Sequence, residues 1–349
     1  MKRTVFALLS LLFVVGCSDK RTLYVYNWSD YIDEGIVRVF ERENDCNVVI
    51  DSFDDNESML AKLMAGATGY DVIFPSSYMI PTLVKHNLIS ALDTNLLPNV
   101  IANIDRKYDS TFHSDILKYS VPYAFSATGI AYRKDVFSIT NDSEKSWEVL
   151  KNPIFQGRVC MLNDIREMIG IGLHMNGCSV NTKNRKEVSR AITYAKGLKK
   201  YTRKLDNTQY RVGLVSGEFY VAIGYTSDIL QVKEENPDAP IDFFIPKEGS
   251  NCCWDEIAIT SGGDRELAHK FIDFLYVPEN AARNMKYVCS TVPNTGMWSF
   301  VEEDDRTNVW LNVSQKELDK LELIKDVGDD LKIYTEAWDK FISDKEYAE

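Results

Sequence analysis

The stretch LYVYNWSDYIDEGIVRVFERENDCNVVIDSF, residues 23–53, holds two short β-branched and aromatic runs, LYVYN and NVVIDSF. Between them lies EGIVRVFERE, whose apolar residues recur at three- and four-residue spacing. That pattern is a strand, a helix and a strand. It continues with ESMLAKLMAG after NVVIDSF, and with DVIFP followed by YMIPTLVKHNL. Alternating β and α predicts an α/β fold whose sheet is mainly parallel and covered on both faces. Asn56, just before ESML, stands where a helix cap is expected.

A second region follows SVPYAFSATGIAYRK (120–134), where Gly129 and small residues interrupt the pattern. It contains RVCML, a helix from about Arg166, a long basic helix across RKEVSRAITYAKGLKKYTRKL (185–205), then YVAIG and IDFFIP. PKEGSNCCWDEIAITSG (246–262) reads as turn, strand and turn; helices DRELAHKFIDFLY and PENAARNMKYV follow, and the tail from Ser314 reads as helical. Loose turns at Ser126–Gly129 and Lys247–Asn251 are the expected crossings between two halves of the chain. The division this suggests is residues 22–126 plus 251–298 in one lobe, and 127–250 plus 299–349 in the other.

A length of 349 residues is a prior for about two domains. The formal charge of −12 argues against nucleic acid, whose phosphates are met by Lys and Arg. At the N-terminus, MKR precedes TVFALLSLLFVV, an apolar run of 12 residues, too short for the ~20 that span a bilayer. It ends in VVGC and resembles a bacterial lipobox. Residues 1–16 are therefore expected to be removed and Cys17 lipidated, leaving an exported protein tethered to a membrane through that lipid alone. Six cysteines remain, Cys46, Cys160, Cys178, Cys252, Cys253 and Cys289, with no CxxC and only four histidines in the chain. Buried thiols acting as small hydrophobes are the expectation, with no metal and no cofactor.

In open α/β sheets, ligands sit beyond the carboxyl ends of the strands. NWSDY follows the first strand, with Trp28, Ser29, Asp30 and Tyr31; PSSY follows DVIF, with Ser76, Ser77 and Tyr78. YTSD follows VAIG, with Tyr225 and Asp228, and NDIRE follows RVCML, with Asp164 and Glu167 three apart on one helix face. Asp255, in CWDEIAI, faces the side opposite Trp254 and Glu256 if that run is a strand. Singly, each loop reads as corner packing or a helix cap. Together they offer acids and ring faces, no Lys, and Arg166 as the one cation. Such a set suits ammonium groups through ion pairing and cation–π contact.

LYVYNWSDYI, NESMLAKLMAG, YDVIFPSSY, SVPYAFSATGIAY, NDIRE, IPKEG and TVPN together resemble the spermidine/putrescine-binding proteins of bacterial ABC transporters. The resemblance implies a two-lobe periplasmic-binding-protein fold, a polyamine held between the lobes, and delivery to an ABC permease by a monomer. Matched motif to motif, it places Trp28, Ser29, Asp30, Tyr31, Ser76, Ser77, Tyr78, Asp164, Glu167, Tyr225 and Asp255 at the ligand. VAIGYTSD is closer to the putrescine-specific branch, which adds Asp228. Cys253 and Ser290 stand where the family has rings, a departure that bears on ligand length and leaves putrescine and spermidine both open.

Two alternatives remain. The same scaffold carries other cargo, such as iron or a sugar, but the four histidines lie outside the carboxyl-end loops and the loops offer few Lys, Arg or Asn donors. An exported hydrolase would use Asp164 and Glu167 as an acid/base pair, yet neighbours on one helix face do not bracket a bond. Neither GxSxG nor HExxH is present.

Overall fold

The computed structural model describes residues 20–67, 69–111 and 116–343. The proposed leader and Cys17 lie outside the described residues. Ten strands form one continuous sheet: β1 Arg21–Trp28, β2 Cys46–Phe53, β3 Val72–Ile73, β4 Ser120–Arg133, β5 Val159–Met161, β6 Thr202–Leu205, β7 Val221–Tyr225, β8 Ile241–Phe244, β9 Ser250–Ile259 and β10 Leu321–Leu323. The order is β2-β1-β3-β9-β4-β7-β5-β6, with β8 on β4 and β10 on β9.

Each lobe has a parallel edge, β1 with β2 and β3 in the first and β5 with β6 and β7 in the second. The two long strands β4 and β9 run antiparallel to each other and to their lobe neighbours. The parallel character expected from alternating elements holds at the edges. It gives way at the centre, where the chain passes from lobe to lobe.

The opening unit forms as its residues dictate. Helix Glu34–Asn44 starts at Asp33, whose side chain accepts from the Gly35 amide at 2.6 Å, and buries Ile36, Val37 and Phe40. It ends at Asp45 in a left-handed conformation, which Asp tolerates better than most residues. Leu23 and Val25 of β1 face that helix, while Tyr26 points to the opposite layer with Met59, Leu63 and Met79. Helix Asn56–Met64 is capped by Asp55, not Asn56: Asp55 accepts from the Ser58 amide at 2.7 Å. The second lobe has its own core around Trp147, Phe155, Met161 and Leu198.

The crossings differ from loose turns. Residues 120–127 of β4 pair with β9 and residues 128–132 with β7, so Ser126–Gly129 is continuous strand. Gly129 is there for closeness: a Cβ would stand 2.3 Å from the Phe243 ring and 2.6 Å from the Phe244 carbonyl oxygen. The second crossing follows a turn at Pro246–Gly249 and enters β9, where Ser250 donates to the Thr128 carbonyl at 2.5 Å. The tail makes a third, because β10 pairs with Ser250–Cys252. Before it, Val301 and Leu311 pack with Ala281 and Met285 beside the first lobe, and Val313 packs with Trp254. After it, Tyr334, Trp338 and Phe341 join the second lobe's core. The tail, expected in the second lobe, thus packs against both.

Two further expectations are revised. The basic helix ends at Leu198 and TRKL forms β6, whose Thr202 is fully buried. The tail from Ser314 holds a short helix, then β10, then helix Leu331–Ser343.

Candidate functional site

The carboxyl ends of β1, β2, β5, β6 and β7 converge on one cleft between the lobes, with a cavity volume of about 120 Å³. That is well above the ~10–15 Å³ needed to hold a single water, and on the scale of a small molecule.

Asp255 lies on the cleft side of β9, one residue from the buried Trp254 and Glu256 on the other face. Tyr31 donates to one carboxylate oxygen at 2.8 Å and Ser76 to the other at 2.7 Å. Both donors are fixed from behind. Asn56 donates to Ser76 Oγ and to the Tyr78 hydroxyl, each at 3.0 Å. Tyr123 donates to the Tyr31 carbonyl at 2.5 Å. Burial pushes Asp255 up to about 6, against the pull of these two hydroxyls.

Facing it from the second lobe, Asp164 is the N-cap of helix Ile165–Met175 and accepts from the Glu167 amide at 2.9 Å. Glu167 accepts from Thr128 at 2.6 Å and from Asn251 at 2.8 Å. Burial first, and then the Asp164 carboxylate, push Glu167 up to about 7; burial raises Asp164 as well. Gly170 lets this helix lie against the crossing, since a Cβ would stand 2.4 Å from the Asn251 amide nitrogen. The fourth acid, Asp228, accepts from Tyr210 at 2.5 Å. Burial raises it, and the neighbouring Arg211 pulls it back.

Ring faces complete the walls. Trp28 is the last residue of β1, half-buried, with its ring 4.3 Å from that of Phe53 on β2. Tyr78 and Tyr225 line the cavity from opposite lobes. Ser29 lines it too.

The structure separates some residues that the sequence groups together. Asp30 is outside the lining, exposed, with φ 54, and ion-paired to Arg211 at 3.4 Å. Ser77 is buried behind the wall, its hydroxyl 3.6 Å from Cys253 Sγ. Arg166 turns away: it donates to the Lys325 carbonyl and to Asn181, each at 2.9 Å, and stacks 4.9 Å from the Tyr334 ring. Among the described residues, Arg211 is the cation that lines the cleft.

Arg211, Asn207 and Thr208 were not anticipated. They follow β6, and the same carboxyl-end rule finds them once TRKL is read as a strand. Phe53, the last residue of β2, and Asp54 after it carry the same signal. Asn56, read as a cap, instead anchors Ser76 and Tyr78. Cys253 lines the cavity, Cys252 faces the opposite core, and all six described cysteines are free thiols.

The chain matches the family described as bacterial extracellular solute-binding protein over residues 35–297. It is 30% identical over 315 residues to a putrescine/cadaverine-binding protein of Pseudomonas aeruginosa, covering 88% of this chain and 89% of that one. It is also 30% identical to the putrescine-binding periplasmic protein SpuD of Pseudomonas aeruginosa, covering 94% of each. Among solved structures, the TpPotD lipoprotein of Treponema pallidum superposes with a TM-score of 0.82 at 29% identity, covering 92% of this chain and 99% of the other. This chain belongs to the bacterial extracellular solute-binding protein family.

Proposed function

We propose that this bacterial extracellular solute-binding protein is a lipid-anchored receptor that captures a polyamine between its lobes and delivers it to an ABC permease. The observation that carries the reading is the convergence of Asp164, Glu167, Asp228 and Asp255 with the rings of Trp28, Tyr78 and Tyr225 in one cleft. Ammonium groups satisfy buried carboxylates, and methylene chains lie along ring faces. Relatives named for putrescine, cadaverine and spermidine support the same ligand class.

Binding proceeds by closure. A polyamine meets the acids and rings of one lobe, and the other lobe then supplies the remaining carboxylates. Closure removes water, which strengthens each ion pair but costs desolvation, so every ammonium needs its own acceptors. Asn207 donates to the Asp54 carbonyl at 3.4 Å and Gln231 to the Tyr287 carbonyl at 3.0 Å, contacts between the lobes of the kind closure makes.

We read the chain as a receptor and not a hydrolase. Asp164 and Glu167 sit at one helix start on one side of the cleft, and Glu167 is already held by two donors. No helix among the described residues is long and apolar enough to cross a membrane; we read the tether at Cys17, on the periplasmic side of a bacterial membrane. Calorimetry of residues 18–349 with diamines, triamines, a sugar panel and ferric iron tests the reading. Tight binding of a polyamine alone is expected, and binding of sugar or iron in its place overturns it.

A further inference from the structure

Arg211 sits in the first turn of helix Tyr210–Ser216, on the second lobe, and divides two spaces. On its inner side is the cleft with Asp228; on its outer side is a surface groove lined by Asp30, Glu234, Glu235 and Tyr287. Arg211 lines both. Both lobes hold it in place. Its Nη2 donates to Asp30 of the first lobe at 3.4 Å, and its Nη1 to Gln231 of the second at 3.2 Å. Gln231 in turn donates to the Asp30 carbonyl at 3.4 Å, which fixes the loop that carries the acid.

We propose that Arg211 is a partition that sets ligand length, standing where a third ammonium would lie and confining the cleft to diamines. This rests on the polyamine reading. Besides the exposed Asp54, three more deeply buried acid centres face the cleft: Asp255, the Asp164–Glu167 pair, and Asp228. Arg211 lines the cleft with Asp228, whose carboxylate its charge favours, so two centres without a cation beside them remain for a ligand. A triamine must bring its third ammonium against a fixed guanidinium, where like charges repel more strongly than in water. Past the partition, Asp30, Glu234, Glu235 and the Tyr287 ring, with Lys286 among them, form a second, mainly acidic surface. Removing the guanidinium joins the two spaces and frees Asp228 and Asp30 for the far ammonium.

The test is calorimetry of the purified protein with putrescine and with spermidine, for wild type, Arg211→Ala, Arg211→Gln and Arg211→Lys. Wild type is expected to bind putrescine at least ~10-fold tighter than spermidine. Arg211→Ala and Arg211→Gln move that ratio toward spermidine by ~10-fold or more, while Arg211→Lys keeps the wild-type order. Arg211→Gln retains a donor toward Asp30, so it supplies the answer if Arg211→Ala does not fold. Equal affinities in wild type, or an unchanged ratio in both neutral variants, overturns the partition and leaves the polyamine reading standing. Wild-type protein that binds neither amine overturns both.

Discussion

Thr128 donates its hydroxyl to the Glu167 carboxylate at 2.6 Å. Thr128 is the residue at which β4 changes partner from β9 to β7, and Asn251, at the start of β9, donates to the same oxygen at 2.8 Å. A cleft acid is thus held by both crossing strands, so its orientation and the angle between lobes are set together.

Glu167→Gln keeps one oxygen to accept from Thr128 and Asn251 but turns an amide toward the cleft. The fold should survive, with a melting temperature near wild type. A charge-assisted hydrogen bond contributes roughly 1.5–3 kcal/mol, so diamine affinity should fall about ten- to a hundredfold by calorimetry. Full affinity would reduce Glu167 to a helix-start residue.

How much of this was legible in the sequence follows from where the signal is local. LYVYN, EGIVRVFERE and NVVIDSF carry their periodicity within themselves, and the first unit forms as read. Asp255 was placed correctly because strand alternation needs only its neighbours. The crossings were misjudged because Gly129 breaks an apolar pattern for a tertiary reason, the approach of Phe243, that no local window contains. β6 was missed because TRKL continues a helix-like charge pattern, while its strand character comes from pairing with β5. Losing β6 lost Arg211, the cleft's cation.

Asp30 and Asp255 should part company. Asp30 is exposed and pairs with Arg211 at 3.4 Å, and exposed pairs contribute about 0–1 kcal/mol. Asp30→Asn should therefore weaken putrescine about fivefold at most, and chiefly by faster release. Asp255→Asn removes the charge that Tyr31 and Ser76 orient, and should cost about ten- to a hundredfold. Stopped-flow release rates and calorimetry on both variants decide it; an Asp30 variant that loses binding as deeply as the Asp255 variant would place Asp30 at the ligand.

Anchoring is independent of the cleft. Labelling cells with a fatty acid should mark wild-type protein and send it to the detergent phase, whereas Cys17→Ser should stay unlabelled. Absence of label on wild type would remove the tether from the proposal.

Trp28 packs against Phe53 and touches both first-lobe core layers, yet it also lines the cleft. Being half-buried, Trp28→Ala should cost about 2 kcal/mol, less than the ~3–5 of a fully buried ring. Affinity should drop more than tenfold. Trp28→Phe removes an indole nitrogen that is buried without a protein acceptor, so it should melt near wild type. Putrescine should change the tryptophan fluorescence of wild type and change that of Trp28→Phe much less. Equal responses would mean that the ring is only a plug.

The acids also fix the sign of the pH dependence. Burial holds Asp255 at about 6 and, with Asp164 beside it, Glu167 at about 7, above the ordinary carboxylate range. Folding without ligand therefore takes up protons at these groups, and their contribution to stability declines as the pH rises from about 4.5 through 7. A diammonium ligand requires the ionised forms, so binding releases those protons and its affinity rises over the same interval. Between pH 5 and pH 8, putrescine affinity should increase about ten- to a hundredfold. The gain in melting temperature on adding putrescine should be larger at pH 8 than at pH 5. Calorimetry in two buffers of different ionisation enthalpy should show protons leaving the protein near pH 6. In Glu167→Gln the step near pH 7 should vanish and the step near pH 6 remain. An affinity that is flat from pH 5 to 8 would mean that these carboxylates do not hold the ligand.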